Sequence, residues 1–182
     1  MPVKNFLVTG APGSGKSTVI ARAVEILRLK GMKAAGIVCP EIRDGAVRVG
    51  FRMVNISTGE SAVLAHIGIR DGPSVGRYGV NLAGIDLMSR TAIEEMLPGS
   101  DFVVIDEIGP MEIASERFRK AVLAALDSGK PVIAAVHMMT KGGFIGSVKS
   151  RSDVRIFSVN ASNRDTLPHE ISGCVEKVLG GI

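Results

Sequence analysis

Eight residues near the amino end, Gly10-Ala11-Pro12-Gly13-Ser14-Gly15-Lys16-Ser17, carry the spacing G-x-x-x-x-G-K-S, and Thr18 follows them. Glycines so placed let successive backbone N–H groups turn inward around phosphate oxygens, a concavity that side chains would block. A helix starting near Lys16 aims its N-terminal dipole at the same oxygens. In that arrangement Gly10 to Thr18 hold phosphate, and the Lys16 ammonium reaches the β and γ oxygens of a nucleoside triphosphate. The Ser17 hydroxyl then ligates Mg²⁺. The plainer alternative is a glycine-rich turn with no ligand. It is disfavoured because an apolar run precedes the motif and an amphipathic helix pattern follows it, the setting a phosphate-binding loop (P-loop) requires.

A second element, Phe102-Val103-Val104-Ile105-Asp106-Glu107, sets four apolar residues before two acids. Such a strand delivers a carboxylate to the edge of a buried sheet, where Asp106 would join Ser17 in holding the metal. Glu107, one residue on, is placed to polarise a water for in-line attack on the γ-phosphorus. Acids also end strands merely to be solvated, so the pairing with the P-loop is what gives these two their reading. His137 closes the apolar run Pro131 to Val136 and is a candidate for sensing the γ-phosphate, against the ordinary alternative of a histidine that only packs. His66 and His169 share no ligand spacing. Asn163-Arg164-Asp165 lies after the last strand, where P-loop folds usually hold the base, and is equally readable as a capping cluster with Asp165 or Thr166 as N-cap. Arg70, Arg77, Arg151, Arg155 and Arg164 are candidates for the cation that meets transition-state charge.

The elements that must position these residues alternate regularly. Val3 to Thr9 reads as a buried strand, and Val19, Ile20, Ala23, Val24 and Leu27 mark one face of a helix that Gly31 ends. Ala34 to Cys39 is a second strand, so the chain opens with a strand–helix–strand unit that calls for a parallel sheet. A turn at Asp44-Gly45 and the alternation of Val47, Val49, Phe51 and Met53 with polar or small residues then predict an antiparallel meander over about 40–67. An exposed glycine-rich loop is expected from Gly68 to Gly79. Beyond it come a helix through Ile85, Met88, Ala92 and Met96, the strand Phe102 to Ile105, and a helix through Phe118, Val122 and Leu126. Strands at Pro131 to Val136 and Val154 to Val159 and a closing helix after Pro168 complete the pattern. The expectation is an α/β fold, a P-loop NTPase with a mostly parallel sheet flanked by helices, in which residues 1–182 form one domain.

Composition narrows the function classes. At 182 residues, 46% hydrophobic and 22% charged, the chain suits a water-soluble domain, and no run approaches the roughly 20 apolar residues of a membrane span. No secretory or transit segment fits before Gly10. Cys39 and Cys174 lack metal-type spacing, which points to a reducing cytoplasmic setting. The net charge of +4 is compatible with a nucleic-acid partner, but no run of five basic residues occurs, and the aromatic set is six Phe, one Tyr and no Trp. Surfaces for stacking single strands are therefore scarce, and a polyanionic triphosphate accounts for the excess charge. A monomer is expected.

The order Gly10–Thr18, then IDEIGPMEI at Ile105 to Ile113, VIAAVH at Val132 to His137 and Asn163-Arg164-Asp165 resembles the small P-loop nucleoside-triphosphatase family first described in thermophiles, also called cancer-related nucleoside-triphosphatases. GPSVGRY at Gly72 to Tyr78 looks like that family's central loop, and IDEIGPMEI is the most specific stretch. The resemblance implies a RecA-like core with an added strand between the P-loop and acidic strands. It also implies slow, Mg²⁺-dependent hydrolysis of several nucleoside triphosphates. The segment Met138 to Lys149 departs from it by lacking arginines. Two rivals stay open: a nucleotide or small-molecule kinase on the same core, and a nucleotide-gated adaptor or RNA-binding protein.

Overall fold

The apolar runs become strands that need both faces covered. The computed structural model describes residues 2–181. β1 (Asn5–Thr9) enters the P-loop, and α1 (Lys16–Leu29) returns along one face to β2 (Ala34–Val38). The antiparallel segment comprises β3 (Glu41–Asp44), β4 (Val47–Asn55), β5 (Ser61–His66) and the short hairpin β6 (Ser74–Val75) and β7 (Tyr78–Val80). There follow α2 (Leu82–Met88), continued as a π-helical turn over Ser89–Glu94, then β8 (Phe102–Ile108), a 3₁₀ turn (Glu112–Ala114) and α3 (Glu116–Asp127). β9 (Val132–Val136), α4 (Gly143–Lys149), β10 (Val154–Ser158) and α5 (Leu167–Gly180) complete the chain.

Among the described residues these strands form one sheet in the order β10-β1-β9-β8-β2-β4-β5-β7-β6, with β3 beside β4. The five strands from β10 to β2 are parallel, and the rest pair antiparallel. β9 lies between the P-loop strand and the acidic strand, so both carboxyl ends border the same opening.

Successive residues of each central strand feed opposite layers, as the period of two dictates. Phe6, Val8, Phe102, Val104, Ile133 and Ala135 pack under α1 and α5 with Ile20, Leu27 and Ile171. Leu7, Val103, Ile105, Val132 and Ala134 pack under α2 and α3 with Ile85, Phe118 and Val122. Two covered faces explain why these strands read as unbroken apolar runs rather than alternating ones.

Two expectations are corrected here. The segment Gly68 to Gly79 is not wholly an exposed loop, since it contributes β6 and the start of β7, and Tyr78 and Val80 are buried. The antiparallel region therefore runs on to Val80 rather than stopping at 67, because one covered face suffices for the three-residue strand β7 to pair with β5. The acidic strand also continues to Ile108, with an irregularity between Ile105 and Ile108 where it pairs with β9. Asp106 and Glu107 thus sit inside a bulged strand, and such a bulge re-aims side chains.

β2 meets β8 at a point that only glycine fits. Gly36 has φ of +120°, and a Cβ there would lie 1.9 Å from the Val104 carbonyl oxygen. Gly36→Ala adds left-handed strain to a backbone clash. It should destabilise the fold by about 3 kcal/mol or more, the sum of typical overpacking and positive-φ penalties. Thermal unfolding against wild type checks this, and an unchanged Tm would contradict the packing described.

Candidate active site

The P-loop is shaped by backbone angles. Gly13 (φ +74°) and Gly15 (φ +99°) take left-handed conformations, and a Cβ at either would meet nothing within 4 Å. Conformation, not crowding, therefore selects glycine at these two positions. Crowding selects Gly10, where a Cβ would come within 2.6 Å of the Ser14 hydroxyl. Gly15 is the N-cap of α1 and offers no side-chain cap, so the first N–H groups of the helix remain free for an anion. Ser14 Oγ is buried with no hydrogen-bond partner among the described residues. Lys16 Nζ donates to the carbonyl oxygens of Gly10 (3.2 Å) and Ala11 (3.3 Å). Ala11, Pro12, Ser17 and Thr18 are exposed, with Ser17 on the wall of the adjoining cavity.

The acidic strand reaches the same place. Asp106 is buried, and its Oδ2 accepts from the Cys39 N–H at 3.0 Å, so the end of β2 fixes the carboxylate. Its other oxygen, Oδ1, is buried without a partner among the described residues. An orphaned carboxylate oxygen and an exposed serine hydroxyl are hard oxygen donors of the kind Mg²⁺ takes. The residues present fit the metal. Among the described residues no group of three or more His, Cys, Asp and Glu side chains could hold an ion by itself.

Glu107 is half-buried beside Asp106. Burial pushes its carboxyl above the ordinary range, Asp106 adds to that push, and Lys16 and His137 oppose it. Those influences place Lys16, Asp106 and His137 around Glu107. His137 itself is half-buried, with Nδ1 2.9 Å from Thr140 Oγ1. Lys149 Nζ ties down the loop after β9 by donating to the carbonyls of His137, Met138 and Thr140 at 3.0–3.1 Å.

A cavity of about 250 Å³ opens here, and its wall includes Ser17, Cys39, Asp106, Glu107 and Glu112, with Phe51 and Val75 from the antiparallel segment. Sequence reading missed three contributors. The Cys39 backbone was invisible, because any residue supplies an N–H. The apolar wall from β4 and β6 depends on how the meander folds back. Glu112 did carry a signal, an acid between Met111 and Ile113 in an otherwise apolar turn.

Asn163 and Arg164 lie apart from this cavity. Asn163 Nδ2 donates to the Ser158 carbonyl and its Oδ1 accepts from the Asn160 N–H, so the side chain staples the β10–α5 loop. Arg164 is exposed, and Asp165 pairs with Arg22 of α1. Thr166 is the N-cap of α5 but makes no side-chain cap bond.

The arginine candidates separate clearly. Arg151 binds Asp127 and Asp153, each at 2.8 Å, at the amino end of β10, whereas the P-loop lies past the carboxyl end of β1. Five residues of strand, at about 3.3 Å each, stand between them. Arg155 pairs with Glu170 and stacks on Phe157. Arg70 is exposed on the segment before β6. Arg77 sits at the tip of the β6–β7 hairpin, stacked on Tyr78, with Nη2 donating to the Arg48 carbonyl at 2.6 Å.

A glycine-shaped anion cradle at the end of one parallel strand, facing a buried acid from another, defines the P-loop class of nucleotide-binding proteins. The model of the NTPase family matches residues 5–172, and the chain belongs to that family. Among relatives, the nucleoside-triphosphatase THEP1 of Thermofilum pendens is 42% identical over 94% of this chain and 95% of its own. That of Methanothermobacter thermautotrophicus is 43% identical over 88% and 89%. Two solved structures share the fold. THEP1 from Aquifex aeolicus has a TM-score of 0.81 at 25% identity, over 94% of this chain and 99% of its own. A human cancer-related nucleoside triphosphatase has a TM-score of 0.80 at 30% identity, over 96% and 98%.

Proposed function

We propose that this chain hydrolyses the γ-phosphoanhydride bond of several nucleoside triphosphates, giving the diphosphate and phosphate, and that Mg²⁺ accompanies the substrate. The observation that carries this reading is the convergence, around one cavity, of the free α1 N-terminus, Ser17, the orphaned Asp106 Oδ1 and Glu107. The names of the relatives support it.

In this reading the amides of Gly13 to Ser17 and the Lys16 ammonium take the β and γ oxygens, and Ser17 and Asp106 hold Mg²⁺. When bound, the metal would neutralise charge that develops on the phosphate oxygens. Glu107 orients a water and removes its proton as the water attacks the γ-phosphorus. Burial suits Glu107 for this by raising its basicity. His137 and one arginine from the β6–β7 hairpin face the γ-phosphate side, with Arg77 preferred over Arg151 and Arg155. Asn163 and Arg164 border the base. We further read the parallel and antiparallel parts as one domain, because they share a continuous sheet, and the working unit as a monomer.

The kinase alternative draws on the apolar part of the cavity wall, Phe51, Leu64, Val75 and Met111, which a water nucleophile does not need. Stoichiometric phosphate release with no acceptor present supports hydrolysis over transfer, and stimulation by RNA would favour an adaptor. Choice among bases should be loose, since Asn163 is spent on its own loop and Arg164 offers only a stacking surface. ATP and GTP should differ in kcat/KM by less than about tenfold, or about 1.4 kcal/mol. Phosphate release measured across the common triphosphates tests both points, and a hundredfold preference for one base would overturn the broad-substrate reading.

A further inference from the structure

One buried acid beside the site has no part in the mechanism above. Glu112, in the 3₁₀ turn after β8, is 4% exposed and meets no cation within ion-pair distance among the described residues. It lines the same cavity as Ser17 and Glu107. Gly109 shows how closely the two glutamates approach. Its φ is not in the left-handed region, so the backbone does not demand glycine there. A Cβ at 109 would instead lie 2.9 Å from Glu112 Oε2 and 3.0 Å from Glu107 Oε1. The two carboxyl groups thus converge on one bare position of the chain.

We propose that Glu112 is a second carboxyl of this site, a positioning residue whose O–H fixes Glu107 toward the water that it activates. The inference rests on the hydrolase reading of Glu107. The charges around Glu112 in the nucleotide-free site favour the neutral form. Glu41 and Asp106 border the cavity with Glu107, and among the described residues Lys16 and His137 are the groups that favour ionisation of Glu107. A further ionised carboxylate would repel both its neighbours and the polyanionic triphosphate. Burial, with Glu107 and Asp106 adding to it, pushes Glu112 up to about 8, while the amides of Glu112 and Gly109 oppose the rise. Cys39, packed against the same acids, is pushed up as well and stays a thiol. A carboxylic acid kept protonated at neutral pH is a strong hydrogen-bond donor. Donated to one oxygen of Glu107, that bond leaves the other oxygen aimed at the water.

The test compares Glu112→Gln with Glu112→Leu. Gln keeps a donor and removes the titration. Glu112→Gln should therefore hold kcat within about threefold of wild type at pH 7, and Leu should lose about 10- to 100-fold with nucleotide affinity unchanged, the scale of misplacing a catalytic group. Wild-type kcat should fall as pH rises through about 8, when Glu112 ionises, and that alkaline fall should vanish in Glu112→Gln. A Leu variant with near wild-type kcat, or an alkaline fall that persists in the Gln variant, overturns the proposal. Should the Leu variant not fold, the Gln pH profile decides alone. A readout independent of turnover is ¹³C NMR of labelled Glu carboxyls in the nucleotide-free protein. The resonance absent from Glu112→Gln should titrate near 8, and an ordinary titration overturns the proposal even if no triphosphate is hydrolysed. Absence of hydrolysis by wild type with that titration intact would instead sink the hydrolase reading.

Discussion

Lys16→Ala should abolish phosphate release and weaken triphosphate binding. Among the described residues the Lys16 ammonium has no carboxylate partner, and it rests on the carbonyls of Gly10 and Ala11, which are held in place by the strand and the loop itself. Those weak acceptors are easily exchanged for phosphate oxygens, so the cation is stored at the mouth of the site at little expense. Its removal takes away a charge-assisted bond worth about 1.5–3 kcal/mol in the ground state. A further factor of about 10²–10³ in rate follows where charge builds on the transferred group. The fold should survive, because α1 is anchored by Val19, Ile20, Ala23 and Leu27 rather than by Lys16. Calorimetric titration with a non-hydrolysable triphosphate and phosphate-release assays separate the two effects. Near wild-type turnover would remove the P-loop from the mechanism.

Much of this site was legible because its chemistry is written in local spacing. Gly13 and Gly15 are needed for backbone angles that nearest neighbours determine, so the motif and its cradle coincide. Asp106 and Glu107 announce themselves as acids ending an apolar run, and the parallel order of the sheet follows from the alternation of strands and helices. What stayed hidden depends on pairs distant in sequence. That the Cys39 N–H fixes Asp106 requires knowing how β2 aligns with β8. The burial of Tyr78 depends on β7 pairing with β5, and its glycine-rich, short-strand surroundings give no periodicity to reveal it. Arg151 illustrates the converse. It stands only three residues before a strand that runs beside the P-loop strand, yet parallel pairing puts it at the wrong end, locked to Asp127 and Asp153.

The departure in Met138 to Lys149 is explained in part. This segment carries no arginine toward the site. Lys149 instead spans from the end of α4 to three carbonyls of the β9–α4 loop and so holds His137 at the end of its strand. The β6–β7 hairpin reaches the cavity through Val75. The antiparallel segment thus does more than extend the sheet. It walls the site with Phe51, Leu64 and Val75.

Glu107→Gln should stop chemistry while leaving binding intact. Gln has nearly the same size and cannot accept the water's proton at any accessible pH. Loss of a positioned general base costs about 10²–10⁴ in rate, or roughly 3–5.5 kcal/mol of barrier. The triphosphate should still bind, since the P-loop amides, Lys16, Ser17 and Asp106 are untouched. Asp106→Asn should behave differently. An amide at 106 can keep its oxygen on the Cys39 N–H and so turns its NH₂ toward the place of the orphaned Oδ1, a donor where the metal needs an acceptor. That variant should lose Mg²⁺ affinity and recover part of its rate at high Mg²⁺, which Glu107→Gln cannot do. The measurement is turnover and nucleotide affinity for both variants across an Mg²⁺ titration. If Glu107→Gln keeps more than about a tenth of the wild-type rate, far less loss than a general base accounts for, Glu107 does not activate the water. The base must then lie elsewhere, and His137, close to the same carboxyl, is next to be tested.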